Sequence, residues 1–324
     1  MARKTLIFGN GLGMALDPKH FSLARALSKV WESPTHLPRE QQRMISRCLD
    51  DDDGEAPTSE EELDTLHVVV ASCNMLNKIG DQDVHWLTKD GQDFPKAVSK
   101  YIHRVATDLH LYDDELPKRF VQPLFDFIRK TKANIATLNY DRLLYGALVD
   151  EGLMAGGYSA HLVDGMVSAG FSEDRLERRF GNNFGYYLHL HGSPLFYDNM
   201  YGVACKMTRD MLTMSSSTIS NHIVLTHVKH KRAVIGASEV LSTYWNYLQR
   251  CCHESKEIIV FGYSGCDTHL NAVLAAYART ASIRIVEWAG AGTQEVRESY
   301  WENLLCTEHF DLIRLDNILD FTDW

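Results

Sequence analysis

Polar residues that can do chemistry stand at the ends of four short apolar runs far apart in the chain. They are Leu6-Ile7-Phe8-Gly9-Asn10-Gly11-Leu12-Gly13, Thr137-Leu138-Asn139-Tyr140-Asp141, Leu188-His189-Leu190-His191-Gly192-Ser193 and Ile258-Ile259-Val260-Phe261-Gly262-Tyr263-Ser264-Gly265-Cys266-Asp267. An apolar run ending in Gly, Asn, His or Ser is the pattern of a buried parallel strand delivering polar residues to its carboxyl end. In open α/β sheets that edge binds ligands. Asn139 can donate and accept at once, as holding a ribose hydroxyl or a water requires. Asp141 either serves the same site or caps the next helix. His191 ends a strand, is followed by a glycine that leaves room for a ligand, and suits a general base near neutral pH. His189 alternates with it on the same face and reads as a satisfied core residue or a support for the site.

Two glycine loops complete the set. Gly9, Gly11 and Gly13 follow the first strand, where glycines let the backbone approach a pyrophosphate and present N–H groups to it. The spacing is not the usual G-x-G-x-x-G, so a plain tight turn stands beside that reading. In the later loop Gly262, Ser264 and the neighbouring amides can bind a phosphate or ribose, and Asp267 can cap the next helix through Asn271. A serine hydrolase is disfavoured, because the Gly-x-Ser-x-Gly spacing of a nucleophile elbow fails. Glu287 ends another strand before Gly290 and Gly292, where an acid often takes adenosine ribose hydroxyls. Asn10 lies within the first loop. Taken together the four segments suggest a dinucleotide site with an Asn and a His beside it. No metal is expected, since no third ligand accompanies His189 and His191 at a recognisable spacing. Lys229, Lys231 and Arg232 read as a surface cluster.

The elements that must position these residues follow from periodicity. Strands are expected at 5–9, 133–138, 186–190, 222–226, 257–261, 283–288 and, at an edge, 310–315. Helices are expected at 20–32, 142–151, 240–253 and 269–279. Between the first two strands lie three further helical patterns, one opened by the capping box Ser59-Glu60-Glu61-Glu62, the others at 94–109 and 120–130. The expected fold is α/β, a doubly wound, mainly parallel Rossmann-like sheet. Residues 1–33 and 124–324 would form it, and 34–123 an α-helical insertion.

Composition narrows the rest. The chain has 324 residues and a formal net charge of −10. Asp50 to Asp53, Glu55, Glu60 to Glu62 and Asp64 account for nearly all of that charge, as a solvated loop. Tight direct binding to nucleic acid is not expected without a concentrated basic face. No apolar run is long enough to span a membrane, and Gly9 and Asn10 end the first apolar run too soon for a signal peptide; a cytoplasmic location is expected. The seven cysteines form no Cys-x-x-Cys pair, so free, mostly buried thiols are expected rather than disulfides or a zinc ribbon.

The order of the four segments resembles the sirtuin-like fold, in which a glycine-rich amino-terminal loop, a Thr-x-Asn-x-Asp segment, a His-Gly and a late Gly-x-Ser loop surround NAD. The likeness covers residues 5–20 and 130–290. Two features depart from the family's protein deacetylases. Their paired Cys-x-x-Cys zinc module is missing, and Asn10 and Leu12 replace small residues of their opening loop, with Asp17-Pro18-Lys19-His20-Phe21 following. Tyr140 and the Gly262-Tyr263-Ser264 loop look more like bacterial sirtuin-like NAD hydrolases of antiphage defence. This resemblance implies NAD+ as substrate, no zinc, and cleavage to nicotinamide and ADP-ribose. It implies catalysis by Asn139 and His191 with Asp141 holding the local geometry, and NAD contacts from Gly9, Asn10, Gly11, Gly13, Gly262, Ser264, Asp267 and Glu287. It further implies a homo-oligomer, or a partner such as a HerA-type ATPase or an Argonaute-like protein. The alternatives are a non-catalytic sensor of NAD or ADP-ribose and, less well matched, a protein deacylase.

Overall fold

A computed structural model describes residues 3–33, 36–50, 54–81, 84–154, 160–179, 181–214, 220–225 and 228–324. Its centre is a seven-stranded sheet made of β1 (Arg3–Phe8), β2 (Asn134–Thr137), β3 (Leu162–Val163), β4 (Gly185–His189), β5 (Ser255–Phe261), β6 (Ser282–Trp288) and β7 (Asp311–Leu315). The spatial order is β7-β6-β5-β1-β2-β4-β3, with every pairing parallel. The chain runs outward from β1 on one side and returns to its other side at β5, so the order reverses beside β1. Such a switch point opens a crevice at the carboxyl edge.

The period of two along each strand explains why both faces are covered. Leu6, Phe8, Ile135, Ile259, Phe261 and Val286 belong to one apolar cluster. Ile7, Ala136, Ile258, Val260, Ile283 and Ile285 belong to the other. Helices Leu23–Trp31, Glu60–Ile79, Lys89–His110 and Lys118–Thr131 supply residues to the first cluster, and helices Glu239–Glu254, Thr268–Tyr277 and Gln294–Leu305 to the second. This is the doubly wound arrangement. The helices between β1 and β2 share an apolar cluster with the sheet and pack on one another, Tyr101 donating to the Leu27 carbonyl at 2.9 Å and stacking edge-on against Trp31. Among the described residues no helix is long and apolar enough to cross a membrane.

Several elements differ from expectation. The run at 222–226 is not a strand; Ile223 makes one isolated bridge to Gly192, and Thr226 lies outside the described residues. The loop after β1 continues as a short helix, Gly11–Leu16, and helices Arg39–Cys48, Arg209–Met214, Val228–Ala237 and Gln294–Leu305 were not anticipated. Neither was the two-residue edge strand β3. Asp51 to Asp53 of the acidic run, and the insertion's first residue, Pro34, also lie outside. No disulfide forms; Cys73, Cys251 and Cys252 are buried, whereas Cys266 and Cys306 are exposed.

Backbone contact at the switch point fixes where the first two loops sit. Gly9 N donates to the Phe261 carbonyl at 2.9 Å and Gly11 N to the Gly262 carbonyl at 2.7 Å. A Cβ on either glycine would meet the Gly262 oxygen at 2.6 Å. We expect Gly11→Ala to lower stability by about 1–3 kcal/mol through overpacking, read as a lower urea midpoint at unchanged slope. An unchanged midpoint would show that these loops part freely.

Candidate functional site

The carboxyl ends of β1, β2, β5 and β6 open on a cavity of about 1050 Å³. That is at the upper end of the ~300–1000 Å³ usual for ligand pockets, and suits a dinucleotide. Asn10, Gly11, Asn139, Asp141 and His191 line it, as do Gly262, Ser264, Asp267 and Glu287. Gly9 and Gly13 stand behind the wall. A Cβ at Gly13 would strike the Phe21 ring at 2.6 Å. The amides of Gly9 and Gly11 are already given to backbone carbonyls. These glycines therefore admit protein, not a pyrophosphate, at the closest points.

β2 delivers Asn139 to the cavity. Its backbone N–H is held by Thr137 Oγ1 at 3.1 Å, and its Nδ2 donates to the Gly9 carbonyl at 3.0 Å. Its Oδ1 is buried with no partner among the described residues. A buried acceptor left unmatched costs about 1–3 kcal/mol, and such an atom calls for a water or ligand donor. Two residues on, Asp141 accepts the Leu143 N–H at 3.0 Å and opens helix Leu143–Asp150. It stands one residue before the helix's N-cap, Arg142, and lines the cavity. Burial pushes its carboxyl up to about 6, against the pull of the Leu143 N–H. Between them, Tyr140 turns its hydroxyl away to the Val224 carbonyl at 2.6 Å.

His191 and Asp267, far apart in sequence, meet in the wall at 2.8 Å through Nε2 and Oδ2. Lys231 Nζ reaches the same carboxylate oxygen at 2.9 Å and Glu60 at 3.9 Å. Burial alone would raise the Asp267 pKa, but the His191 hydrogen bond and charge, together with the Lys231 ammonium, hold it well below the usual carboxylate range. A carboxylate in that state only accepts, so Nε2 carries a proton in either charge state, and in the neutral ring Nδ1 is the basic atom. The other oxygen, Oδ1, accepts from His269 N at 2.9 Å and Leu270 N at 3.0 Å and caps helix Thr268–Tyr277. The capping is direct rather than through Asn271. That residue holds the loop by accepting from Tyr263 and donating to the Gly265 carbonyl.

Lys231 is the residue that sequence reasoning missed. It is 5% exposed, not a surface residue. Its only local signal was the short basic cluster, of which the Lys229 side chain lies outside the described residues. Gly192 also differs in its reason for being glycine: it has φ +80° and its absent Cβ would lie 1.6 Å from the His222 carbonyl oxygen. The room it leaves is taken by backbone. His189 is in the core, among Tyr145, Tyr187, Phe196 and Tyr244. It is not satisfied, however, because neither ring nitrogen has a partner among the described residues. Burial drives its pKa well below the ordinary value, so the ring is neutral.

At the far end, Ser264 is exposed and lines the wall. Glu287 is buried and already occupied. It accepts from Arg297 Nε at 3.0 Å and Nη2 at 2.8 Å, from Trp301 Nε1 at 3.0 Å, and pairs with Arg314 Nε at 3.2 Å. Among the described residues no group of three or more His, Cys, Asp and Glu side chains is arranged to hold a metal ion.

A parallel sheet with a crevice at its switch point, lined by Asn, His and paired charges, places the chain in the doubly wound, Rossmann-like α/β class. The chain belongs to the SIR2-like family: the SIR2-like domain matches residues 133–306, somewhat over half of the sequence. SIR2-like domains use NAD, and the family is generally one of NAD-dependent enzymes. No curated protein matches the chain.

The depressed Asp267 pKa has a pH signature. Its contribution to stability is fully present above the unfolded value of about 4 and is lost as pH falls through the lower folded value. We expect Asp267→Asn, which leaves Lys231 buried opposite an amide, to cost about 3 kcal/mol near neutral pH. In urea titrations its gap from the parent should shrink below about pH 4. A gap that stays constant with pH would mean that the charge of Asp267 is not what stabilises the wall.

Proposed function

We propose that the protein is an NAD+ glycohydrolase that releases nicotinamide and ADP-ribose. The observation that carries this reading is the pairing, in one cavity, of an unpartnered Asn139 oxygen with a histidine fixed by a buried carboxylate. Breaking the nicotinamide–ribose bond leaves an oxocarbenium-like sugar and a neutral leaving group, so no general acid is required for departure. Water then attacks the anomeric carbon and gives up a proton. His191 Nδ1 takes that proton, and the imidazolium formed is stabilised by Asp267. Asn139 Oδ1 accepts from the water or from a ribose hydroxyl and so orients one against the other. Asp141 anchors the segment at the start of its helix.

A sensor that only binds NAD or ADP-ribose would use the same cavity but would give the His191–Asp267 pair no work. Protein deacylation is disfavoured because the family's paired Cys-x-x-Cys module is missing from the sequence. We extend the proposal to an antiphage effector in the cytoplasm that depletes NAD, acting as a homo-oligomer or with a partner such as a HerA-type ATPase or an Argonaute-like protein. Support for assembly comes from Val68, Met75 and Ile79, large apolar side chains exposed on helix Glu60–Ile79. Residues 34–123 are thereby proposed as an assembly or regulatory insertion.

Asn139→Ala and His191→Ala should each lower nicotinamide release by about 10²–10⁴-fold while thermal unfolding stays cooperative. The assay is chromatographic detection of nicotinamide from NAD+ with no acyl peptide present. Near-parental release by either variant would remove that residue from the mechanism.

A further inference from the structure

The cavity has two chemically distinct ends. Asn139 and His191 stand beyond β2 and β4, whereas Glu287 and Trp288 close β6 and Arg297 stands on the following helix, Gln294–Leu305. A dinucleotide whose nicotinamide ribose lies at the first end must place its adenosine at the second. In α/β dinucleotide sites an acid at a strand end typically accepts the ribose hydroxyls, and an arginine nearby accommodates a 2′-phosphate instead. Glu287 has the right position for the first role but not the free oxygens. Oε2 accepts from Arg297 and Trp301, and Oε1 faces Arg297 and Arg314. Hydrogen-bonded by Arg297 and Trp301 and ion-paired with Arg314, it offers a diol little.

Those same contacts fix Arg297. Nε and Nη2 are tied to Glu287, Nη2 also approaches the Ser264 carbonyl at 3.4 Å, and the guanidinium lies over the Tyr300 ring at 4.4 Å. Nη1 has no partner among the described residues, and the side chain lines the cavity. The exposed Ser264 hydroxyl lies in the same wall. A guanidinium held on one edge by a carboxylate and open on another is a preorganised anion site. Asp316, also in the lining, is exposed and opposes an anion only through solvent. Within the cluster two half-buried arginines face one buried glutamate, and the exposed Glu295 carboxylate acts on Arg314 from the solvent side.

We propose that this end recognises an adenosine carrying a 2′-phosphate, with Arg297 as the specificity-determining residue, so that NADP+ is a substrate at least as good as NAD+. The proposal rests on the glycohydrolase reading for its chemistry. Water cleaves the same nicotinamide–ribose bond, giving nicotinamide, 2′-phospho-ADP-ribose and a proton.

The test has a catalytic and a binding arm. In the first, kcat/KM for NADP+ should equal or exceed that for NAD+, and Arg297→Gln should shift that ratio toward NAD+ by about ten-fold or more, the change expected from losing one charge-assisted contact. Arg297→Lys, which keeps the charge and loses the fork, should shift it less. In the second, the full chain is titrated with adenosine 2′,5′-bisphosphate and with adenosine 5′-monophosphate. Tighter binding of the bisphosphate, lost in Arg297→Gln, supports the proposal even where neither dinucleotide is cleaved, an outcome that would overturn only the glycohydrolase reading. Equal binding of the two probes, or a ten-fold preference for NAD+ in the parent, overturns the proposal whatever the catalytic result. Failure to bind either probe overturns the proposal, while the glycohydrolase reading stands or falls on nicotinamide release alone.

Discussion

The carboxylate of Asp267 answers to three separate parts of the chain, and the site depends on its doing so. One oxygen holds the amides that start helix Thr268–Tyr277. The other receives His191 from the end of β4 and Lys231 from helix Val228–Ala237. Backbone, imidazole and ammonium are thereby located by one group. Burying a charge is costly unless it is paired and hydrogen-bonded, and here the pairing comes from segments that no local interaction would bring together. The cost of keeping that carboxylate ionised therefore becomes a constraint on tertiary structure. Helix Val228–Ala237 must close over the cavity for Lys231 to arrive, and the end of β4 must turn so that His191 faces inward. Gly192, at φ +80° against the His222 carbonyl, allows that turn.

A second constraint works without charge. The loops after β1 and β5 meet backbone to backbone at the switch point, through Gly9, Gly11 and Gly262. Glycine at these positions serves closeness between strands' ends, and closeness brings Asn139 within reach of the Gly9 carbonyl. The amide's nitrogen is consumed by that bond, and its oxygen is left for a ligand or water. The same hydrogen bond thus fixes the side chain's orientation and defines its free face, a division of labour that neither glycine nor asparagine achieves alone.

Much of this was legible in the sequence because parallel strands buried on both faces must be apolar runs, each closed at its carboxyl end by a small set of polar residues. β1, β2, β4, β5 and β6 were readable on that ground, and with them Asn139, Asp141, His191 and Asp267. Where the signal failed, the missing information was non-local. Lys231 is separated from Asp267 by 36 positions, and nothing near it distinguishes a buried ammonium from a solvated one. Glu287 was placed correctly at the end of a strand, but its occupation by Arg297, Trp301 and Arg314 is a property of packing between elements. The run at 222–226 has the composition of a strand and lacks a partner beyond one bridge at Ile223. β-structure requires a neighbour that composition does not report. Trp31 and Tyr101, on the two sides of the boundary expected at Pro34, pack together.

The charges along the cavity form a gradient that bears on the direction of binding. Near Asn139 stand Asp141, whose carboxyl is pushed up to about 6 by burial, and the Asp267 carboxylate with Glu60 beyond Lys231. Near Ser264 stand Arg297 and Arg314 around a single glutamate. An oxidised nicotinamide nucleotide is itself polar in this sense, with a cationic ring at one end and phosphates further along. The acidic end favours the ring and, more strongly, the positive charge that spreads onto the ribose as the glycosidic bond breaks, since a group that interacts better with the transition state than with the ground state accelerates the reaction. In the proposed reaction the arginine-lined end would hold the remote part of the molecule, whose binding energy would position the reacting bond. Reversing the ligand would set phosphates against Asp141 and Asp267 and a cation against two guanidinium groups. Under the proposed reaction, the placement of charge therefore selects the one orientation in which Asn139 and His191 meet the bond to be cleaved.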